Sequence, residues 1–105
     1  MILLQVKTRN LVKKFCPEQN LEFHLTTITL NGRKKGCSGF IANRSNGRTV
    51  YVDTEYCTIQ DLGYLYRFCK KVGDYSGLSY RNRFAHTPEE LAKGIAKCLT
   101  DERIG

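Results

Sequence analysis

From Glu22 to Tyr56 the chain alternates apolar and polar positions in runs rich in Thr, Val, Ile, Phe and Tyr, and two Asn-Gly pairs, Asn31-Gly32 and Asn46-Gly47, interrupt the alternation. A period of two marks a half-buried strand, and Asn-Gly between such runs supplies the positive φ that a tight hairpin turn needs. Two hairpins that share a strand predict a three-stranded antiparallel meander. With Asn31-Gly32 as a two-residue turn, Leu30 faces Arg33, Ile28 faces Lys35, Thr26 faces Cys37 and Phe23 lies opposite Phe40. One face then carries Ile28, Leu30, Cys37 and Ile41, and the other Phe23, Leu25, Lys34 and Phe40. Across the second turn, Val50 and Val52 join the Ile41 face, while Thr49 and Tyr51 join Phe40 and Arg44. A bulge would move this register by one residue and exchange side chains between the faces.

The flanks follow other patterns. Ile2 to Val6 reads as a short buried strand before a helix capped by Thr8, with Leu11, Val12 and Phe15 on one side; one continuous helix from Ile2 to Phe15 fits the same positions. Pro17 ends either. From Thr58, paired with Asp61 as a cap, Ile59, Leu62, Leu65, Tyr66, Cys69 and Val72 recur at three- and four-residue steps. They predict an amphipathic helix of about four turns, closed by Lys70, Lys71 and Gly73. Asp74 to His86 reads as an ordered loop. Thr87-Pro88-Glu89-Glu90 then opens a last helix with a Thr cap, Pro at the first helical position and Glu at the third, as in a capping box. Leu91, Ile95, Cys98 and Leu99 form its buried stripe, and Lys93 and Lys97 face water. Gly94 costs the helix ~1 kcal/mol relative to Ala, which implies close packing there. The expected fold is α+β: one domain, residues 1–105, with a small antiparallel meander of three strands, extendable to a fourth, packed against two C-terminal α-helices.

Charge adds a functional lead. Seventeen Lys and Arg against ten Asp and Glu give a net charge of +7 on 105 residues, a field that attracts phosphate backbones or acidic protein faces. The five cysteines, Cys16, Cys37, Cys57, Cys69 and Cys98, form no Cys-x-x-Cys pair, and Met1-Ile2-Leu3-Leu4 has no basic segment before it. Reduced thiols and a cytoplasmic setting are therefore expected. No stretch approaches the ~18 apolar residues of a membrane span.

Two constellations suit binding. The hairpin turns carry Arg33, Lys34, Lys35, Arg44 and Arg48, beside Phe40 and Tyr51 on the sheet face expected to lie away from the helices. The Tyr75 to His86 loop brings Tyr80, Arg81, Arg83, Phe84 and His86 close together. Guanidinium groups give bidentate phosphate contacts and neighbouring rings stack on bases.

Two others are weaker. Asp53 and Glu55, with Asp61 and His24, would suit a metal-dependent nuclease, but capping or pairing with arginine explains them more simply. A cysteine paired with His24 or His86 has no supporting spacing, and core packing explains the thiols better, with Cys37 on the core face and Cys69 and Cys98 on helix stripes. A metal-free ribonuclease built on Arg, Lys, Tyr and His is a further reading. There the Gly73-Asp74-Tyr75 triplet resembles a stretch in small basic ribosome-dependent messenger-RNA toxins. Those place helices before the main sheet, so the chain is not assigned to that family.

The expected function is non-enzymatic binding, by a small basic protein, of nucleic acid (DNA or RNA) or a nucleoprotein, through Arg33, Lys34, Lys35, Arg44, Arg48, Arg81 and Arg83, with Phe40, Tyr51 and Tyr80 for stacking. No catalytic residue, cofactor or metal is expected. The alternative is a phage or mobile-element inhibitor that binds a host nucleic-acid-processing enzyme such as a CRISPR nuclease. A small ribonuclease or nuclease stands behind both.

Overall fold

The computed structural model describes residues 3–30, 32–55, 63–75 and 81–105, and the side chains of all of these except Leu30, Arg33, Lys34 and Lys35. In chain order the elements are α1 (Leu4–Phe15), β1 (Leu21–Leu30), β2 (Arg33–Asn43), β3 (Thr49–Asp53), β4 (Tyr64–Cys69), β5 (Arg83–Ala85) and α2 (Pro88–Thr100). The strands form one antiparallel sheet in the order β1-β2-β3-β4-β5. Both helices pack on one face of it, and Val12, Leu25, Cys37, Ile41, Val50, Val52, Leu91, Ile95 and Leu99 fill the space between. The α+β class and the two hairpins stand as expected, with the meander running to five strands. Among the described residues one helix precedes the sheet and the other follows it.

Three details correct the sequence reading. Residues 64–69, expected as helix, form β4, in which Leu65, Arg67 and Cys69 are buried on one side and Tyr64, Tyr66 and Phe68 half-buried on the other. The segment satisfies both periods, but its aromatic residues favour a pleated surface and five residues pair along β3. The Thr58 start of that expected helix lies outside the described residues.

At the N-terminus the continuous helix is realised, with Thr8 buried inside it instead of capping. In the first hairpin, Leu30 faces Arg33 and Thr29 faces Lys34, but Ile28 then faces Gly36, so Lys35 is the extra residue of a bulge. Beyond it the register moves by one. Phe23 and Leu25 therefore turn to the helices with Cys37 and Ile41, while Ile28 joins the outer face with Phe40.

Gly39 and Gly94 are among the glycines that meet close backbone or ring approaches. Gly39 has φ 137°, and a Cβ there would overlap the carbonyl oxygen of His24 on β1. Gly94 of α2 is covered by the Tyr66 phenol, the close packing that its place in a helix implies. The last helix opens as expected: Thr87 Oγ1 accepts from the Glu90 N–H at 3.1 Å, and Glu90 reaches back to the His86 N–H at 3.2 Å. Its other end is held by the β2–β3 turn. Asn43 and Asn46 side chains donate to the Leu99 carbonyl at 3.0 and 2.9 Å, and Arg48 Nε donates to the Cys98 carbonyl at 2.7 Å. These bonds satisfy carbonyls that a helix C-terminus leaves without partners.

Candidate functional site

The strand registers sort side chains onto the sheet face away from the helices. Glu22, His24 and Thr26 come from β1, Ser38 and Phe40 from β2, Tyr51 and Asp53 from β3, and Arg67 from β4. Phe40, Tyr51 and Arg67 lie side by side across three strands, because Phe40 pairs with Tyr51 and Tyr51 with Arg67. Tyr75, from the segment after β4, closes over them. Its ring centroid lies 5.2 Å from that of Phe40 and 5.8 Å from that of Tyr51, both edge-on, and Phe40 and Tyr51 are 5.3 Å apart. Phe40 is thereby only 2% exposed, whereas Tyr75 is 69% exposed.

Beneath this cluster lies Arg67, 7% exposed. Its guanidinium carbon sits 4.4 Å from the Tyr51 ring centroid, a cation–π contact. Nη1 and Nη2 donate to Asn82 Oδ1 and to the Tyr75 carbonyl, each over 3.4 Å, and Nε has no partner among the described residues. None of the ion pairs among the described residues involves Arg67. Arg67 cannot shed its charge, so the fold holds a cation under the sheet surface on neutral acceptors and a ring. Tyr51 donates its hydroxyl to Asp53 Oδ2 at 3.1 Å. Burial, then the negative charge of Asp53, pushes the Tyr51 phenol up to about 12.

On the other side of Phe40 and Tyr75 the surface opens into a cleft of ≈ 220 Å³. It is bounded by His24, Thr26, Ser38 and Gly39 of the sheet and by Val72 and Gly73 of the loop. His24 Nε2 lies 2.6 Å from Glu22 Oε1, and Arg44 donates to Glu22 Oε2 at 2.8 Å. The hydrogen bond from His24, then that from Arg44, holds the Glu22 carboxyl below its ordinary range.

The expected site residues are distributed unevenly around this centre. Phe40 and Tyr51 do share the outer face, but Phe40 is covered, so its role as an open stacking ring is corrected: the exposed ring is Tyr75. Arg81 is exposed and adjoins Asn82, which touches Arg67. Arg44 lies beside Glu22 on the same sheet face. Arg48 belongs elsewhere, since it stacks 4.3 Å over Phe68 and donates to the Cys98 and Ile104 carbonyls, fastening the end of α2. Arg83 pairs with Tyr66 on the helix-covered face. Arg33, Lys34 and Lys35 open β2 and flank its bulge. Tyr80, Asp61 and Cys57 lie outside the described residues.

Asp53 is used locally, accepting from Tyr51 at 3.1 Å and from the Glu55 N–H at 3.0 Å. Cys16, Cys37, Cys69 and Cys98 are buried free thiols, and Cys69 stands on a strand instead of a helix stripe. Burial pushes Cys37 and Cys69 up to about 11 each, away from reactivity.

Sequence reasoning missed Arg67, Thr26 and Ser38, and it named Tyr75 and His24 only in other roles, not as parts of this cluster and cleft. Arg67 was hidden by the helical reading of its segment. Read as a strand, Tyr64-Leu65-Tyr66-Arg67-Phe68-Cys69 places the arginine on the face opposite its aromatic neighbours. Comparison of the chain with protein-family models, with curated proteins and with solved structures gave no match.

Proposed function

We propose that the protein is a non-enzymatic nucleic-acid-binding protein that engages single strands on the outer face of its sheet, around Tyr75. The observation that carries this reading is an exposed ring fixed in place: Tyr75 is 69% exposed yet held edge-on by both Phe40 and Tyr51. A base stacking on such a ring gains about 1–3 kcal/mol, with little ordering cost left for the ring itself. Cations lie near it in the chain. Lys70, Lys71 and Arg81 are exposed in the same loop region, within a chain of net charge +7.

The helix layer is also basic, but among the described residues its most exposed ring, Phe15, is 36% exposed against 69% for Tyr75. There Arg9 and Lys13 already lie over Phe23, and Lys93 over Phe15. A duplex keeps its bases stacked internally, so an isolated protruding ring favours unpaired strands.

Fluorescence anisotropy with labelled single-stranded DNA and RNA across a salt series tests the reading. The affinity is expected to fall as salt rises, with a log–log slope of about −2 if Lys70, Lys71 and Arg81 each displace a counterion. Tyr75→Ala is expected to weaken binding about tenfold, the low end of a lost stacking contact. No binding at low salt would overturn the proposal and leave a direct protein partner, such as a nucleic-acid-processing enzyme, as the reading to pursue.

A further inference from the structure

The cleft beside Tyr75 has a chemistry that the stacking ring alone does not need. We propose that it receives one unpaired nucleobase edge-first and that Ser38, Thr26 and His24 discriminate among bases; this rests on the single-strand reading above. Its volume of ≈ 220 Å³ is below the roughly 300–1,000 Å³ of pockets for drug-sized ligands, which suits a single planar heterocycle. Two of its boundaries are the Phe40 and Tyr75 rings, and Gly39 and Gly73 contribute no side chain to fill it. The remaining boundary is the apolar Val72 and three polar side chains, His24, Thr26 and Ser38. Thr26 and Ser38 stand opposite one another across β1 and β2, and His24 pairs with Phe40 one step along.

These groups have hydrogen-bonding capacity left over. Among the described residues the Ser38 hydroxyl makes no hydrogen bond, and the Thr26 hydroxyl makes only a 3.4 Å bond to the Ser38 carbonyl. His24 uses Nε2 on Glu22, which leaves its other ring nitrogen for a ligand. A hydroxyl pair and an imidazole are suited to reading a base edge, whose donors and acceptors differ between bases. The exposed Lys70 and Lys71 directly precede Val72 in the chain, so a phosphate next to the base on that side meets positive charge, while Arg44 on the opposite side is paired with Glu22. The same chemistry, a base carried on phosphate, occurs in a free mononucleotide. Strand and mononucleotide therefore form separate arms of the test.

The experiment measures affinities for single-stranded homopolymers of equal length, of each base in turn, for wild type, Ser38→Ala, His24→Gln and Tyr75→Ala. In parallel, amide shifts are followed on adding each mononucleotide and, as a control, ribose 5-phosphate. One homopolymer is expected to bind about fivefold or more tighter than the weakest, the equivalent of one net hydrogen bond. Ser38→Ala and His24→Gln should each narrow that ratio, and the preferred mononucleotide should shift the Thr26, Ser38, Gly39 and Gly73 amides where ribose 5-phosphate does not. Equal binding of all homopolymers, still lost in Tyr75→Ala, would overturn the base-reading cleft while leaving single-strand binding in place. A mononucleotide binding as tightly as a strand would support the cleft and overturn the strand as its ligand. Absence of any binding would overturn both.

Discussion

Arg67 shows how a single residue can define a surface without being visible on it. Removing a guanidinium from water costs several kcal/mol unless it is paired, and among the described residues Arg67, 7% exposed, has a ring and two 3.4 Å acceptors in place of a carboxylate. Arg67→Met, which keeps the apolar stem and removes the charge, is therefore expected to unfold in urea at the same or a higher concentration than wild type. A loss above about 2 kcal/mol would show that the charge itself stabilises the fold. Its neighbour Tyr51 gives a pH signature. The phenol ionises near 10 when unfolded and near about 12 when folded, so its folded-state preference is fully present below pH 10 and is lost as pH rises through about 12. Tyr51→Phe should flatten the stability profile across that window, as measured by urea unfolding at a series of alkaline pH values. The buried thiols give a third readout. Because burial raises Cys37 and Cys69 to about 11, site-resolved alkylation at pH 8 should label them only after denaturation. The roles of Arg67 and Tyr75 were not legible in advance, since they depend on partners from other segments of the chain, Tyr51 and Asn82 for Arg67 and Phe40 for Tyr75. Tyr51 and Phe40 were placed on one face correctly because the second hairpin is in register from Ala42↔Thr49 through Ser38↔Asp53.

Among the elements, turn and cap chemistry was readable and periodicity was only partly so. Thr87-Pro88-Glu89-Glu90 specifies a helix start through local hydrogen bonds that need no tertiary context, and the structure forms them. Thr87→Ala should accordingly cost about 1 kcal/mol in chemical unfolding. Residues 64–69 were misread because six residues satisfy a helix and a strand pattern at once, and the decision rests with pairing to β3, which no local window contains. The bulge at Lys35 likewise depends on where the hairpin packs: it turns Phe23 and Leu25 toward α1 and α2, with Leu25 8% exposed. Gly94 tests the packing between α2 and β4. Alanine there gains ~1 kcal/mol of helix propensity, yet its Cβ would enter the space of the Tyr66 phenol. Gly94→Ala should thus be net destabilising by about 1–3 kcal/mol, and adding Tyr66→Ala should abolish that penalty in a double-mutant cycle.

For the molecule as a whole, the division into a helix-covered face and an outer face determines what its charge can do. The net charge of +7 was plain in the sequence and pointed to phosphate, but charge alone does not choose a face. The proposed reading takes the outer face, because Tyr75 there is 69% exposed beside the cleft, whereas Phe23 and Phe15 on the helix side each have a cation over the ring. Arg48, counted among the binding cations on its sequence position, instead fastens α2 to the β2–β3 turn, so its removal should lower stability. The most direct test is to map backbone amide shifts while titrating the full chain with a short single-stranded oligonucleotide at low salt. Shifts concentrated at residues 38–40, 51, 67, 72–75 and 81–82 are expected. Shifts confined to the helix lysines Lys13, Lys14, Lys93 and Lys97, with the outer face silent, would contradict single-strand binding around Tyr75.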